Sequence, residues 1–287
     1  SNRKQGRYSE TVGQVNRLRR CCCAGIVGRS QTKSTCRHRC TRESEGMGLL
    51  KARRFYDAVA ETYDDRFGDK VALTENELAT ASLPTRNVLD LGCGTGLYLD
   101  YCQPSGYIGV DLSAGMLAVA RAKFPSATLI QSDMSAIPLP DNSVDAVVSL
   151  FGSFSYCLTP HRCVDEINRV LRPDGRVLVM AYGQRYINRP SHIAPHLNFW
   201  TYTARQLKHL FAPIGNVKVR GLNMAIDALD WLPTPLFRWY AWCEYQTVNR
   251  WLTDRCYFLI VEVIKDAQAN ACDERIRCRH RAIKATI

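Results

Sequence analysis

The sequence predicts an α/β protein with a doubly wound, seven-stranded, mostly parallel sheet and an aromatic insertion before the last strand. Three observations carry this prediction. Between residues 87 and 182, short apolar runs of strand length alternate with helix-length segments, the rhythm of parallel strands joined by crossover helices. The first run ends in a glycine turn, Gly92-Cys93-Gly94-Thr95-Gly96, that leads into a helix. At 287 residues with 46% hydrophobic side chains, the chain is long enough for one large core of this kind.

The elements follow in order. From Leu49 to about Phe67, apolar Phe55, Val59, Tyr63 and Phe67 recur every four residues and mark an amphipathic helix. A second helix covers Val71 to Ser82 and is stopped by Pro84. Asn87 to Leu91 reads as a buried strand, Leu97 to Cys102 as the helix that the glycine turn opens, and Tyr107 to Asp111 as the second strand. The next helix runs from Ser113, its N-cap, to Lys123. Thr128 to Gln131 and Asp145 to Leu150 are strands three and four. A helix over Pro160 to Leu171 ends at the Pro173-Asp174-Gly175 turn, and Arg176 to Tyr182 is strand five. Beyond Tyr182 the rhythm breaks: a helix at Thr203 to Phe211, a strand near Val217 to Leu222, and a last strand at Cys256 to Ile264. More than thirty residues separate these two strands where a hairpin needs a few. That insertion, 223–254, carries Trp231, Trp239, Tyr240, Trp242, Tyr245 and Trp251, and is expected to pack in the core, close over a substrate or lie on a membrane surface.

The net charge of +11 sits in the tails. Residues 1–46 hold 11 Lys/Arg against 3 Asp/Glu and residues 266–287 hold 5 against 3, which leaves a nearly neutral body of 22 against 21. The domain organisation expected is therefore a disordered, basic, Cys-rich tail (1–46), a catalytic body (47–265) and a second basic tail (266–287). Cys36-x-His38-x-Cys40 has one-residue gaps that do not match zinc spacings, and no metal site is expected. Met47 as the natural start, or an Arg- and Ser-rich organelle address before it, are both open readings. The six body cysteines show no paired spacing, which suits a reducing compartment and a cytoplasmic location. No apolar run reaches the ~18–20 residues of a membrane span.

A glycine turn at the end of the first strand lets backbone approach a ligand and aims the N–H groups of the next helix at it. Gly92, Gly94 and Gly96 give a G-x-G-x-G spacing. The dinucleotide fingerprint needs its third glycine one place later, where this chain has Leu97, which counts against NAD. Asp111, closing the second strand, is placed to accept two ribose hydroxyls.

With these residues in view, the body resembles the class I S-adenosylmethionine (SAM)-dependent methyltransferases, of the small-molecule type related to ubiquinone- and biotin-pathway enzymes. The matching stretches are Val88-Leu89-Asp90-Leu91 with the glycine turn, Gly109-Val110-Asp111-Leu112-Ser113 with Met116-Leu117 and Ala120, and Asp133-Met134 before Ile137-Pro138-Leu139-Pro140. Asn168 to Arg176 and the Phe55 to Asp64 helix match as well. The resemblance implies a Rossmann-like methyltransferase fold with SAM as cofactor. Asp90 and Gly92, Cys93, Gly94, Thr95 and Gly96 would hold the methionine end, Asp111 the ribose, and Asp133 with Met134 the adenine amino edge. Leu112 and Met116 would flank the adenine ring, Tyr56 and Tyr63 would close over the cofactor, and Ser149, Leu150 and Phe151 end the fourth strand where the methyl group faces its acceptor.

Methyl transfer from a sulfonium is an in-line displacement that needs no metal. An oxygen or carbon acceptor usually needs a base, and His161, His192 and His196 are the candidates, each following strand four or five. The Asn/Asp-Pro-Pro-Tyr run of base-methylating enzymes is absent where this chain reads Ser149-Leu150-Phe151-Gly152-Ser153-Phe154, and no Pro-Cys pair occurs, so no structured nucleic-acid site is expected. The expected acceptor is a small apolar or aromatic molecule methylated on oxygen, carbon or nitrogen. A protein or lipid acceptor, and a SAM-binding regulator without turnover, stand as alternatives; the oligomeric state is left open.

Overall fold

The computed structural model describes residues 48–67, 69–188, 197–247 and 252–267. The basic tails, His192, His196 and Trp251 lie outside the described residues, apart from Asp266 and Ala267 of the second tail.

Helix α1 spans 48–59 and is followed by two 3₁₀ turns, Ala60–Thr62 and Asp64–Phe67, where the four-residue periodicity suggested one helix to Phe67. The break has a physical reason: it lets Asp64 accept a hydrogen bond from Thr95 Oγ1 (2.5 Å) and an ion pair from Lys123 (3.0 Å), partners that local periodicity does not contain. Helix α2 (Lys70–Thr80) starts with Asp69 accepting from Ala72 N. The repeating units follow as β1 (Val88–Leu91), α3 (Leu97–Tyr101), β2 (Tyr107–Asp111), α4 (Ala114–Lys123), β3 (Thr128–Gln131), β4 (Val144–Ser149), α5 (Pro160–Val170) and β5 (Leu171–Tyr182). Ser113 caps α4 by accepting from Met116 N. The last elements are α6 (Ala204–Phe211), β6 (Gly215–Leu222), α7 (Thr234–Thr247) and β7 (Phe258–Lys265). Helix α6 opens with a reciprocal cap between Thr203 and Gln206.

The seven strands lie in the order β3-β2-β1-β4-β5-β7-β6, parallel except for β7, which runs antiparallel to both neighbours. Strand β5 begins five residues before the expected start. Leu171 already pairs with Val144, and the Pro173-Asp174-Gly175 turn is an irregularity between that pair and Arg176 opposite Ala146.

Alternate residues of each strand enter different cores, as a pleated sheet covered on both sides requires. Leu89, Leu91, Val177, Val179 and Val261 pack with α5 and α6, whereas Val88, Leu178, Met180, Tyr182 and Ile260 pack with α2 and the aromatic residues that follow β4 and β5. Helix α7 joins α2 through Phe237 and Ala241 against Val71 and Leu78. Its buried Glu244 accepts from Met224 N (2.7 Å), Ala225 N (3.0 Å) and Tyr240 OH (2.9 Å), which ties the insertion down at a second point. Among the described residues no helix is long and apolar enough to cross a membrane.

Candidate active site

Strand order reverses at β1, which has β2 on one side and β4 on the other; crevices outside the carboxyl ends of strands form at such points. A pocket opens there. Its walls come from α1 (Leu49, Ala52, Arg53, Tyr56), from Tyr63, from Gly92 and Gly94, from Val110 to Ser113 with Met116, from Ser132 to Met134, and from Phe151, Ser153, Tyr156 and Cys157.

The turn after β1 needs its glycines. Gly92, Gly94 and Gly96 have φ of +72°, +54° and +87°. A Cβ on Gly92 would lie 2.5 Å from Ser153 Cβ, and one on Gly96 would meet the Phe124 ring at 2.9 Å, whereas one on Gly94 would enter open space. Gly94 is therefore the point at which backbone is bare toward the pocket. Its N–H donates to Asp111 Oδ2 (2.8 Å), and Ser113 N donates to Asp111 Oδ1 (2.8 Å). Each carboxylate oxygen keeps a further acceptor position. Burial pushes the Asp111 carboxyl up, and those backbone donors pull it back.

Of the fourteen residues expected to surround the cofactor, Tyr56, Tyr63, Gly92, Gly94, Asp111, Leu112, Met116, Asp133 and Met134 line this one pocket. The other five stand behind it. Asp90 is buried and accepts from Tyr107 OH (2.9 Å); burial raises its carboxyl to about 7 against the pull of that hydrogen bond. Cys93 is buried, with its Sγ beneath Gly109, and Thr95 is fastened to Asp64. Gly96 is the N-cap of α3. Ser149 is fully buried at the end of β4, and its Oγ has no hydrogen-bond partner. Asp133 Oδ1 accepts from Ser135 N (2.8 Å) and Ser135 Oγ (2.9 Å). His161 is exposed on the first turn of α5 and is not on the pocket wall.

Three features had no sequence signal. Asp57 holds α1 over the pocket by accepting from Ser113 Oγ (2.6 Å) and Gly115 N (2.9 Å), both at the start of α4. Phe151 takes φ +53° before Gly152 at +82°, a left-handed pair that folds Ser153–Tyr156 back across the pocket. Tyr156 then joins a run of rings: Tyr56 at 5.8 Å, Tyr182 at 5.8 Å and Phe199 at 6.0 Å, with Tyr186 stacked on Tyr182 at 3.7 Å. A Tyr at position 156 belongs to no periodic element, so only the fold reveals it.

Strand order, glycine turn and the acid ending β2 are those of the Rossmann-like fold of class I SAM-dependent methyltransferases. Residues 89–179 match the family model described as a methyltransferase domain. Among curated proteins, the chain is 31% identical over 150 residues to a malonyl-[acyl-carrier protein] O-methyltransferase of Pectobacterium atrosepticum, covering 50% of this chain and 58% of that one. It is 33% identical over 106 residues to a demethylmenaquinone methyltransferase of Renibacterium salmoninarum, covering 36% and 44%. The chain thus spans about half the length of the curated relatives it matches. A SAM-dependent methyltransferase from Thermotoga maritima shares the fold, with a TM-score of 0.55 at 16% identity over 75% of this chain and 99% of that one.

Proposed function

We propose that the chain is a SAM-dependent methyltransferase whose acceptor is a small apolar or aromatic molecule. The observation that carries this reading is the convergence of nine expected residues, from five separate segments, on one pocket beside the glycine turn. The residues present fit SAM: backbone is bare at Gly94, both Asp111 oxygens have acceptor capacity to spare, and Val110, Leu112 and Met116 supply apolar surface for a purine.

SAM supplies an electrophilic methyl group on a positively charged sulfur. The chain's part is to bind, align and exclude water, and alignment can contribute on the order of 7–11 kcal/mol in favourable cases. Gly92 and Gly94 with Asp90 behind them would hold the methionine end. Asp111 would take the ribose hydroxyls, and Asp133 and Met134 the adenine edge. Tyr56 and Tyr63 would close over the cofactor, and Phe151 and Tyr156 wall the remaining space with rings, which supports an apolar or aromatic acceptor. The names of the two curated relatives, one acting on a malonyl group of an acyl carrier protein and one on demethylmenaquinone, support an acceptor outside nucleic acid. If the acceptor is an oxygen or carbon acid, His192 and His196 are the proposed bases ahead of His161, which faces solvent.

The test is calorimetry with S-adenosylhomocysteine (SAH), followed by methyl transfer from labelled SAM into extract metabolites. Asp111→Ala strips the acceptor from both Gly94 N and Ser113 N, whereas Asp111→Asn keeps an acceptor for one of the two, so Asp111→Asn is the milder probe. Loss of a charged hydrogen-bonding partner is worth ~1.5–3 kcal/mol, so roughly ten- to a hundredfold weaker SAH binding is expected. Unchanged affinity would remove the ribose role. SAH binding without any labelled product would favour a SAM-binding regulator.

A further inference from the structure

Sequence spacing pairs none of the body cysteines, yet the fold brings two of them together beside the pocket. Cys157 lies on the pocket wall, directly after the 3₁₀ turn Ser153–Tyr156. Cys163 is fully buried on α5, where its N–H donates to Thr159 O (3.1 Å). The Cys163 thiol donates to the Cys157 sulfur, and both belong to the core cluster that holds Phe154, Val164 and Tyr202.

The two sulfurs differ in chemistry. The hydrogen bond from Cys163 pulls the Cys157 thiol down against its burial, and the same bond, then burial, pushes the Cys163 thiol up. Cys157 is therefore the better nucleophile of the pair, and it is the one that a small reagent can reach through the pocket. Cys93 and Cys256 are buried as well, but burial pushes both of those thiols up. Tyr202 OH is buried in the cluster of the pair with no hydrogen-bond partner among the described residues, and after burial it is the two sulfurs that push its phenol up. A spare donor thus stands beside two thiols that the methyl-transfer reading leaves without a task.

We propose that Cys157 and Cys163 form a peroxide-sensitive dithiol whose oxidation to a disulfide reshapes the pocket wall. The Cys157 thiolate attacks one oxygen of hydrogen peroxide, the O–O bond breaks, and water leaves with a sulfenic acid on Cys157. The Cys163 sulfur then displaces the hydroxyl from that sulfur, its own proton departs with the hydroxyl as a second water, and the S–S bond forms. Tyr202 OH is the donor available to the sulfenic oxygen. Hydrogen-bonded sulfurs must come closer to become bonded ones. Cys163 is held in α5 inside a closed core, so Cys157 is the one that moves, and the Ser153–Tyr156 turn that reaches Gly92 O through Ser153 Oγ moves with it. A thiol reductant reopens the bond. The cross-link stands on the pair alone, whereas its effect on ligand binding rests on the SAM reading above.

The experiment treats the full, fully reduced chain with hydrogen peroxide, with and without saturating SAH, and maps the cysteines by peptide mass. Tryptic cleavage after Arg162 puts Cys157 and Cys163 on different peptides, so their disulfide shows as one cross-linked mass. The cross-link is expected to form in the free chain, to form more slowly when SAH fills the pocket, and to be reversed by dithiothreitol. Calorimetry on the oxidised chain is expected to show SAH bound roughly five- to a hundredfold more weakly, the usual span of coupling between two sites, with recovery on reduction. Cys157→Ser keeps the tail thiols and the pocket methionines, and its SAH affinity, whatever its starting value, is expected to stay within about twofold across the same treatment. Absence of the cross-linked peptide, or a cross-linked chain that binds SAH as the reduced one does, would overturn the proposal. A loss of affinity that dithiothreitol leaves in place, or that Cys157→Ser shares, would overturn it too. A reduced chain that binds no SAH counts against the SAM reading, and the mapped cross-link then decides the pair by itself.

Discussion

Asp90 is a carboxylate buried where its charge is costly. It is 3% exposed, Tyr107 OH is its hydrogen-bond partner, and burial raises its carboxyl to about 7, with Asp111 adding to the rise. In the unfolded chain it titrates near ~3.9. Between about pH 4 and pH 7 the folded protein therefore holds a proton that the unfolded chain has released. Stability falls as pH rises through that window and levels off above it. Asp90→Asn keeps an acceptor for Tyr107 and removes the charge, so the variant should match the wild type near pH 4 and exceed it above pH 7. A tenfold difference in proton affinity between the folded and unfolded chain is worth roughly 1.4 kcal/mol. Denaturant melts at pH 4.5 and 8 decide this, and a variant less stable than wild type at pH 8 would remove the argument. If Asp90 also helps to hold the methionine end, the same variant binds SAH more weakly, the trade expected where a site stores an unfavourable charge.

The turn between β4 and α5 likewise holds an unfavourable feature in place, here at the level of an element. Phe151 and Gly152 both adopt left-handed backbone, and Gly152 gives its Cβ space to the Tyr182 ring. Gly152→Ala must accept a φ of +82° and move that ring, so a loss of about 2–4 kcal/mol is expected from the backbone and overpacking together. SAH affinity should fall too, because Ser153, whose Oγ donates to Gly92 O in the glycine turn, follows this turn. A melt within about 0.5 kcal/mol of wild type would show that the Tyr182 ring yields freely. The sequence could not display this turn, because it rests on a contact about thirty residues away. By contrast β1 and β4 were legible almost to the residue, since parallel strands covered on both faces read as nearly continuous apolar runs. The glycine turn and Asp111 were legible for a different reason, their spacing being chemistry rather than propensity. Where reading failed, long-range partners had intervened: Asp64 reaching Thr95 broke the expected first helix, and Leu171 pairing with Val144 drew strand β5 back past its turn.

At the scale of the molecule, the 223–254 insertion divides its aromatic residues by face. Phe237 and Ala241 are fully buried against Val71 and Leu78 of α2, and Glu244 anchors the backbone at Met224 and Ala225. Trp231, Trp239 and Trp242 are 76%, 66% and 55% exposed, and Leu236 shares their exposure. Composition alone does not separate these groups, because the run from Leu236 to Glu244 crowds apolar residues onto more than one side. The division carries a quantitative consequence. Phe237→Ala empties a closed site and should cost about 3–5 kcal/mol, whereas Trp239→Ala and Trp242→Ala should fall within about 0.5 kcal/mol of wild type. None of the three lines the pocket, so SAH affinity should stay the same in the two tryptophan variants. Urea melts with SAH titrations on the same samples check both statements. A Trp239→Ala loss above ~1.5 kcal/mol would mean that this face is covered in solution. A neutral result with altered methyl transfer would instead bring α7 into contact with the acceptor.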